Sequence, residues 1–90
     1  MYFTPFCGYC RAAKSLLDRR GVPFLGIDVS RDHERRRLLL EATGRSSVPQ
    51  IFINGRSIGG FDEISALERA GELEPMLSVA PPANLSLPIP

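Results

Sequence analysis

An α/β fold, a four-stranded mixed sheet flanked by helices, is predicted by three observations. The element order reads β-α-β-α-β-β-α. Its first half is a β-α-β unit, whose two strands run parallel through a right-handed crossover. Its second half places Asn54-Gly55 between two apolar runs, a strong hairpin signal and so an antiparallel pair. A sheet joining both halves has two faces to bury, which the helices cover.

Met1–Thr4 is the first strand, interrupted by Pro5. From Tyr9 to about Arg20, Tyr9, Ala13, Leu16 and Leu17 recur at helical spacing, with Arg11, Lys14, Asp18 and Arg19 on the other face. Gly21 is a helix stop. Pro23–Val29 reads as the second strand, because Phe24, Leu25, Ile27 and Val29 show no helical face. Ser30 or Asp32 caps a second helix that ends near Thr43, before Gly44. Its Arg35-Arg36-Arg37 run is expected on the solvated side and Leu38-Leu39-Leu40 partly in the core. Gln50–Ile53 and Arg56–Gly59 form the hairpin. Asp62 is expected to cap the third helix, with Ile64, Leu67 and Ala70 as its buried stripe. Gly71 ends that helix, and Glu72–Leu77 makes a last helical turn.

Ninety residues allow one small domain, expected over residues 1–77. Ser78–Pro90 holds four prolines and no charge, the composition of a disordered tail. A net charge of +1 gives no general attraction for nucleic acid or membrane surfaces. No apolar run approaches the ~20 residues of a membrane helix. The first residues lack the basic-then-apolar pattern of a secretory signal.

The chemistry is concentrated in Cys7-Gly8-Tyr9-Cys10, which contains both cysteines of the chain. A bridge across so short a loop stabilises little by chain entropy. The pair is therefore read as catalytic, in a reducing cytoplasm. A helix starting at Gly8 or Tyr9 puts Cys7 at its N-terminus, where unpaired N–H groups and the helix dipole favour a thiolate. A zinc site wants four ligands, and only His33 adds a nitrogen to the two sulfurs.

Further motifs stand at fixed distances from this pair. They are Arg11-Ala12-Ala13-Lys14 with Leu16-Leu17, Gly21-Val22-Pro23-Phe24, Ser47-Val48-Pro49-Gln50-Ile51-Phe52-Ile53-Asn54-Gly55, and Ile58-Gly59-Gly60-Phe61-Asp62. With Cys7-Gly8-Tyr9-Cys10, they make the chain resemble the dithiol glutaredoxins over about Met1 to Leu77. The resemblance implies a thioredoxin-like fold, a cis Pro49 facing the cysteines, and a glutathione-dependent thiol–disulfide oxidoreductase. Cys7 is then the nucleophile and Cys10 the resolving thiol. Glutathione is the co-substrate, and glutathionylated or disulfide-bonded proteins are the partners. The implied glutathione groove comprises Tyr9, Ser47, Val48 and Pro49, with Gly60, Phe61 and Asp62 at the γ-glutamyl end and Arg36 at the other carboxylate.

Physical reasoning supports the γ-glutamyl end. A Gly-Gly turn opening a helix lets backbone N–H groups approach a carboxylate, and Asp62 can pair with the ammonium. Taken without the resemblance, Tyr9 fits packing against the first helix equally well, Gly59-Gly60 fits a plain turn, and Asp62 fits an N-cap. Three departures from the family stand out. Gly8 occupies a common proline position, Thr4 a common lysine position, and the first strand is about three residues short, as if trimmed or begun upstream. Gly8 also fits an alternative, a [2Fe–2S] cluster bridging a homodimer, with Cys7 and one glutathione thiol from each subunit as ligands. In the oxidoreductase reading the chain is a monomer.

Overall fold

The computed structural model describes residues 1–78 of the chain. Four strands and four helices follow in the order β1 (Tyr2–Phe3), α1 (Gly8–Arg19), β2 (Ile27–Asp28), α2 (His33–Thr43), β3 (Ile51–Ile53), β4 (Arg56–Gly59), α3 (Phe61–Arg69) and α4 (Leu73–Ser78). The tail expected over 78–90 lies outside the described residues except for Ser78, which closes α4 and donates its hydroxyl to Glu74 O at 2.9 Å.

β1 and β2 pair in parallel, with Tyr2 opposite Ile27 and Phe3 opposite Asp28. β3 and β4 pair antiparallel, with an irregularity between Ile51 and Phe52. One antiparallel bridge joins the two ladders, in which Tyr2 and Gln50 exchange backbone hydrogen bonds of 2.9 Å. The strand order is thus β2-β1-β3-β4, with the join narrowed to a single residue pair. The second strand is much shorter than the expected Pro23–Val29. The ladder with β1 begins at Tyr2 opposite Ile27, and before it only the Leu25 carbonyl is held, by the Met1 amino group at 2.7 Å. The Leu25 side chain is 62% exposed.

Alternation along the strands separates two cores, one on each face. On one face Ala13, Leu16 and Leu17 of α1 meet Ile51, Ile64 of α3 and Leu73 of α4. On the other, Tyr2, Val29 and Leu39 of α2 are packed by Ile27, Leu38, Val48 and Phe52. The Tyr2 and Phe52 rings meet edge-on at 5.7 Å.

Several helical details differ from the sequence expectations. Cys10, Ala13, Leu16 and Leu17 form the buried stripe of α1, so Tyr9 is not part of it. Asp32 caps α2 by accepting from Arg35 N at 2.9 Å, and Gly44 ends it in the left-handed region at φ 75°. Arg35 and Arg36 are half-buried rather than solvated, and Leu40 is 47% exposed. α3 starts earlier than expected: Gly60 is its N-cap and Asp62 lies in the first turn. The reason is Glu63, whose carboxylate reaches back to accept from Gly60 N at 3.0 Å, supplying the orphan N–H with a partner. Ala70 is the exposed C-cap of α3, outside the buried stripe.

Candidate active site

Cys7 is the N-cap of α1, with extended backbone at φ −93° and ψ 120°. A turn closed by Cys7 N and Thr4 O at 3.4 Å delivers it there, with Pro5 second in the turn, where a fixed φ is favourable. The Cys7 sulfur accepts from Cys10 N at 3.3 Å and lies 3.6 Å from Val48 O, to which its thiol donates. Cys10 is buried beneath it. The two cysteines are free thiols.

Their environments push the thiols in opposite directions. Burial raises the Cys7 pKa, but hydrogen bonds from the Cys10 side chain and from the Cys10 and Tyr9 backbones, with the charge of Arg11, outweigh it. The net result lies below the ordinary thiol value. Burial lifts Cys10 to about 11, helped by the hydrogen bond and charge of Cys7 and opposed by a hydrogen bond from the Thr4 backbone. At neutral pH iodoacetamide is therefore expected to alkylate Cys7 and spare Cys10. The Cys7 rate, followed by peptide mass spectrometry, should titrate with a midpoint below the ~8.5 of an unperturbed thiol. A midpoint at or above that value contradicts the N-cap account. Between ~8.5 and the raised Cys10 value, the folded chain keeps a proton that the unfolded chain has released, so Cys10 makes stability fall as pH rises through that window.

Beside Cys7 lies an open groove of about 280 Å³, lined by Tyr9 from α1, Arg45 and Ser47–Pro49 from the α2–β3 loop, and Gly60–Glu63 from the start of α3. The Val48–Pro49 peptide is cis. Tyr9 is 65% exposed and its ring stands 6.3 Å from that of Phe61. Core packing is thus not its role. Gly60 lies so close to the opposite wall that a Cβ there would sit 3.2 Å from Pro49 O. The Gly59-Gly60 pair is thus more than a plain turn: it lets the end of β4 and the start of α3 close one side of the groove.

The structure brings together Tyr9, Ser47, Val48, Pro49, Gly60, Phe61 and Asp62 in this lining. Arg36 is outside the lining, with its guanidinium donating to Ser46 O at 3.4 Å, one residue from the groove wall. Arg45 and Glu63 are lining residues that the sequence reasoning did not single out. Glu63 was detectable as the third residue after a helix-capping glycine. Arg45 carried no comparable signal. Among the described residues no group of three or more His, Cys, Asp or Glu side chains is placed to hold a metal ion.

The family model for glutaredoxin matches residues 1–58. A glutaredoxin of Pseudomonas aeruginosa is 45% identical over 78 residues, covering 87% of this chain and 93% of the relative. The chain belongs to the glutaredoxin family. Glutaredoxin 3 of Escherichia coli is 39% identical over 77 residues, covering 86% of this chain and 93% of its own length. Among solved structures, a buckwheat glutaredoxin–glutathione complex matches with a TM-score of 0.81 at 35% identity, over 86% of this chain and 73% of that one. The solution structure of a Brucella melitensis glutaredoxin matches with a TM-score of 0.76 at 45% identity, over 84% and 83%. The thioredoxin-like fold and the thiol–disulfide oxidoreductase activity expected from the motifs are those of this family.

Proposed function

We propose that this glutaredoxin reduces glutathione mixed disulfides and protein disulfides, with Cys7 as the attacking thiolate and Cys10 as the resolving thiol. The observation that carries this reading is the contrast between the thiols: one stabilised as thiolate at a helix N-cap beside a groove, the other buried and held protonated. Cys7 thiolate attacks the glutathione sulfur of a protein–glutathione disulfide. A new S–S bond joins Cys7 to glutathione, and the protein leaves as a thiolate that takes a proton from water. A second glutathione thiolate attacks the Cys7–glutathione bond, releasing oxidised glutathione and restoring the Cys7 thiolate. In the dithiol route, Cys10 attacks a Cys7–substrate disulfide and the product is a Cys7–Cys10 bridge, which two glutathiones then reduce. Bonding Cys7 to another sulfur removes its charge, the smallest of the causes holding Cys10 protonated, which eases loss of the Cys10 proton while burial still opposes it. Potentials general to glutaredoxins, about −200 to −230 mV, make the exchange reversible against the glutathione pool. The reading includes a monomer in a reducing cytoplasm.

The groove matches the tripeptide chemically. The N-terminus of α3 offers backbone N–H groups to a carboxylate, and the Asp62 carboxylate beside them suits an ammonium. Val48 offers its backbone, and Tyr9 and Phe61 offer apolar faces. Ser47 and Arg36 extend this wall toward the other carboxylate. A structural neighbour, the buckwheat protein, is a glutathione complex. Turnover of a glutathionylated peptide, coupled to glutathione, glutathione reductase and NADPH, tests the proposal. Turnover supported by thioredoxin reductase and not by glutathione overturns it.

A second reading rests on Gly8. Among the described residues a Cβ there would meet nothing within 4 Å, which leaves room beside Cys7 for another molecule. Two copies and two glutathiones together supply four thiolates, the complement of a [2Fe–2S] cluster. Cys7 is the one ligand each chain gives, and the cluster would make the protein a carrier. A colourless monomer after anaerobic reconstitution with iron, sulfide and glutathione rules this reading out.

A further inference from the structure

Arg45 and Glu63 tie the two walls of the groove together. Glu63 Oε1 accepts from Gly60 N at 3.0 Å and also from Arg45 Nη1. The carboxylate folds back so closely over Gly59 that a Cβ there would lie 2.5 Å from Oε1, at φ +120°. The backbone of Arg45 is itself fixed. Its carbonyl accepts from the buried Gln50 Nε2 at 2.7 Å, and its N–H donates to Thr43 Oγ1 at 3.1 Å. A surface arginine held at both ends is an unusual use of a flexible side chain, whose ordering costs entropy.

The pair also lies where charge is needed. Arg45 and Glu63 line the groove beside Gly60, Phe61 and Asp62. A guanidinium carries five N–H donors, and the contact with Glu63 uses Nη1 alone. Among the described residues the remaining donors have no other partner, which leaves them for a second carboxylate. Asp62 offers negative charge on the first turn of α3, while Arg45 offers positive charge one step away. Adjacent opposite charges of this kind fit an amino-acid head, with its α-carboxylate and α-ammonium on one carbon. We infer that Arg45, set in place by Glu63, is a specificity-determining contact for the α-carboxylate of the γ-glutamyl head of glutathione. Glu63 is a positioning residue acting through Arg45 and through the Gly60 amide. This inference rests on the glutathione reading above and adds a side-chain partner to the α3 N–H groups that reading gives the head-group carboxylate.

Three mixed disulfides of one reporter peptide test it: with glutathione, with γ-glutamylcysteine, which lacks the glycine, and with cysteinylglycine, which lacks the γ-glutamyl head. Arg45→Gln is expected to lower kcat/KM by about 5-fold for the first two, the scale of a part-exposed charge contact. The loss falls in KM, and the cysteinylglycine disulfide is unaffected. Glu63→Gln keeps an oxygen for the Gly60 amide and is expected to give a smaller loss with the same pattern. Arg45→Lys restores part of the loss. The Cys7 alkylation profile stays that of the unmodified protein in all three variants. A loss on glutathione and cysteinylglycine but not on γ-glutamylcysteine overturns the inference in favour of the glycine carboxylate. Equal loss on all three, or none on any, overturns it as well. Failure of the underlying reading looks different: the unmodified protein then shows no preference for the glutathione over the cysteinylglycine disulfide.

Discussion

Cys7→Ser is expected to lower turnover of glutathione mixed disulfides by at least about 10³-fold, the scale on which loss of a nucleophile is felt, whereas Cys10→Ser retains much of that activity. The asymmetry follows from position. Only Cys7 has its sulfur at the N-cap, accepting from Cys10 N at 3.3 Å and opening beside the groove. A serine hydroxyl there still caps α1 by accepting from Cys10 N, so the fold survives while the nucleophile is lost. Cys10 is buried and stays protonated to about 11. It has no part in exchanging glutathione on Cys7, so its removal leaves the monothiol cycle intact. The Cys10 amide that supports the Cys7 thiolate is backbone and survives substitution, and the serine hydroxyl can donate in place of the Cys10 thiol that also supports it. Cys10→Ser should instead stall the dithiol route, trapping a Cys7–substrate disulfide that non-reducing electrophoresis detects. Equal loss of turnover in the two variants defeats the assignment of roles.

Much of this arrangement was legible in the sequence because the relevant signals are local. Cys7-Gly8-Tyr9-Cys10 marks a helix start because Ala13, Leu16 and Leu17 come after it at helical spacing, and Asn54-Gly55 marks a hairpin by its own backbone preferences. Asp32 and Gly44 bracket α2 as a cap and a left-handed stop. What escaped was set by partners distant in the chain. The extent of β2 depends on β1, and nothing within Pro23–Val29 records that β1 pairs only two of its residues. Tyr9 has the right spacing for the apolar stripe of α1, yet Cys10 takes that face, because the helix is rotated to bury Cys10 with Ala13, Leu16 and Leu17. Asp62 has the chemistry of a cap, but Glu63 reaches Gly60 first and moves the helix start forward. Arg45 was invisible for the same reason. Its importance is its proximity to Glu63, eighteen residues away.

Ile64→Ala is expected to lower the unfolding free energy by about 2–5 kcal/mol, and Ile64→Val by about 0.5–1.5 kcal/mol. Ile64 is 0% exposed and packs in the core shared by Ala13, Leu16, Leu17, Ile51 and Leu73. That core is where α1, which carries Cys7, meets α3, which begins with the Gly60–Asp62 wall of the groove. Truncation leaves a cavity between rigid elements that cannot fully collapse, so the cost exceeds the transfer of the lost methyl groups. Native domains hold only about 5–15 kcal/mol in total, and small ones bury less of their surface, so the alanine variant loses a large share. Leu40→Ala is the control. Leu40 belongs to the same kind of apolar run but is 47% exposed, and its substitution should stay within about 0.5 kcal/mol. Urea unfolding with an unchanged slope measures all three variants. If Ile64→Ala cost no more than Leu40→Ala, α3 would not be seated on this core, and the groove wall it carries would lack that support. The valine variant, which stays folded, adds a functional reading: its KM for the glutathione mixed disulfide should rise while the Cys7 alkylation midpoint holds, because α3 loosens and the N-cap of α1 does not.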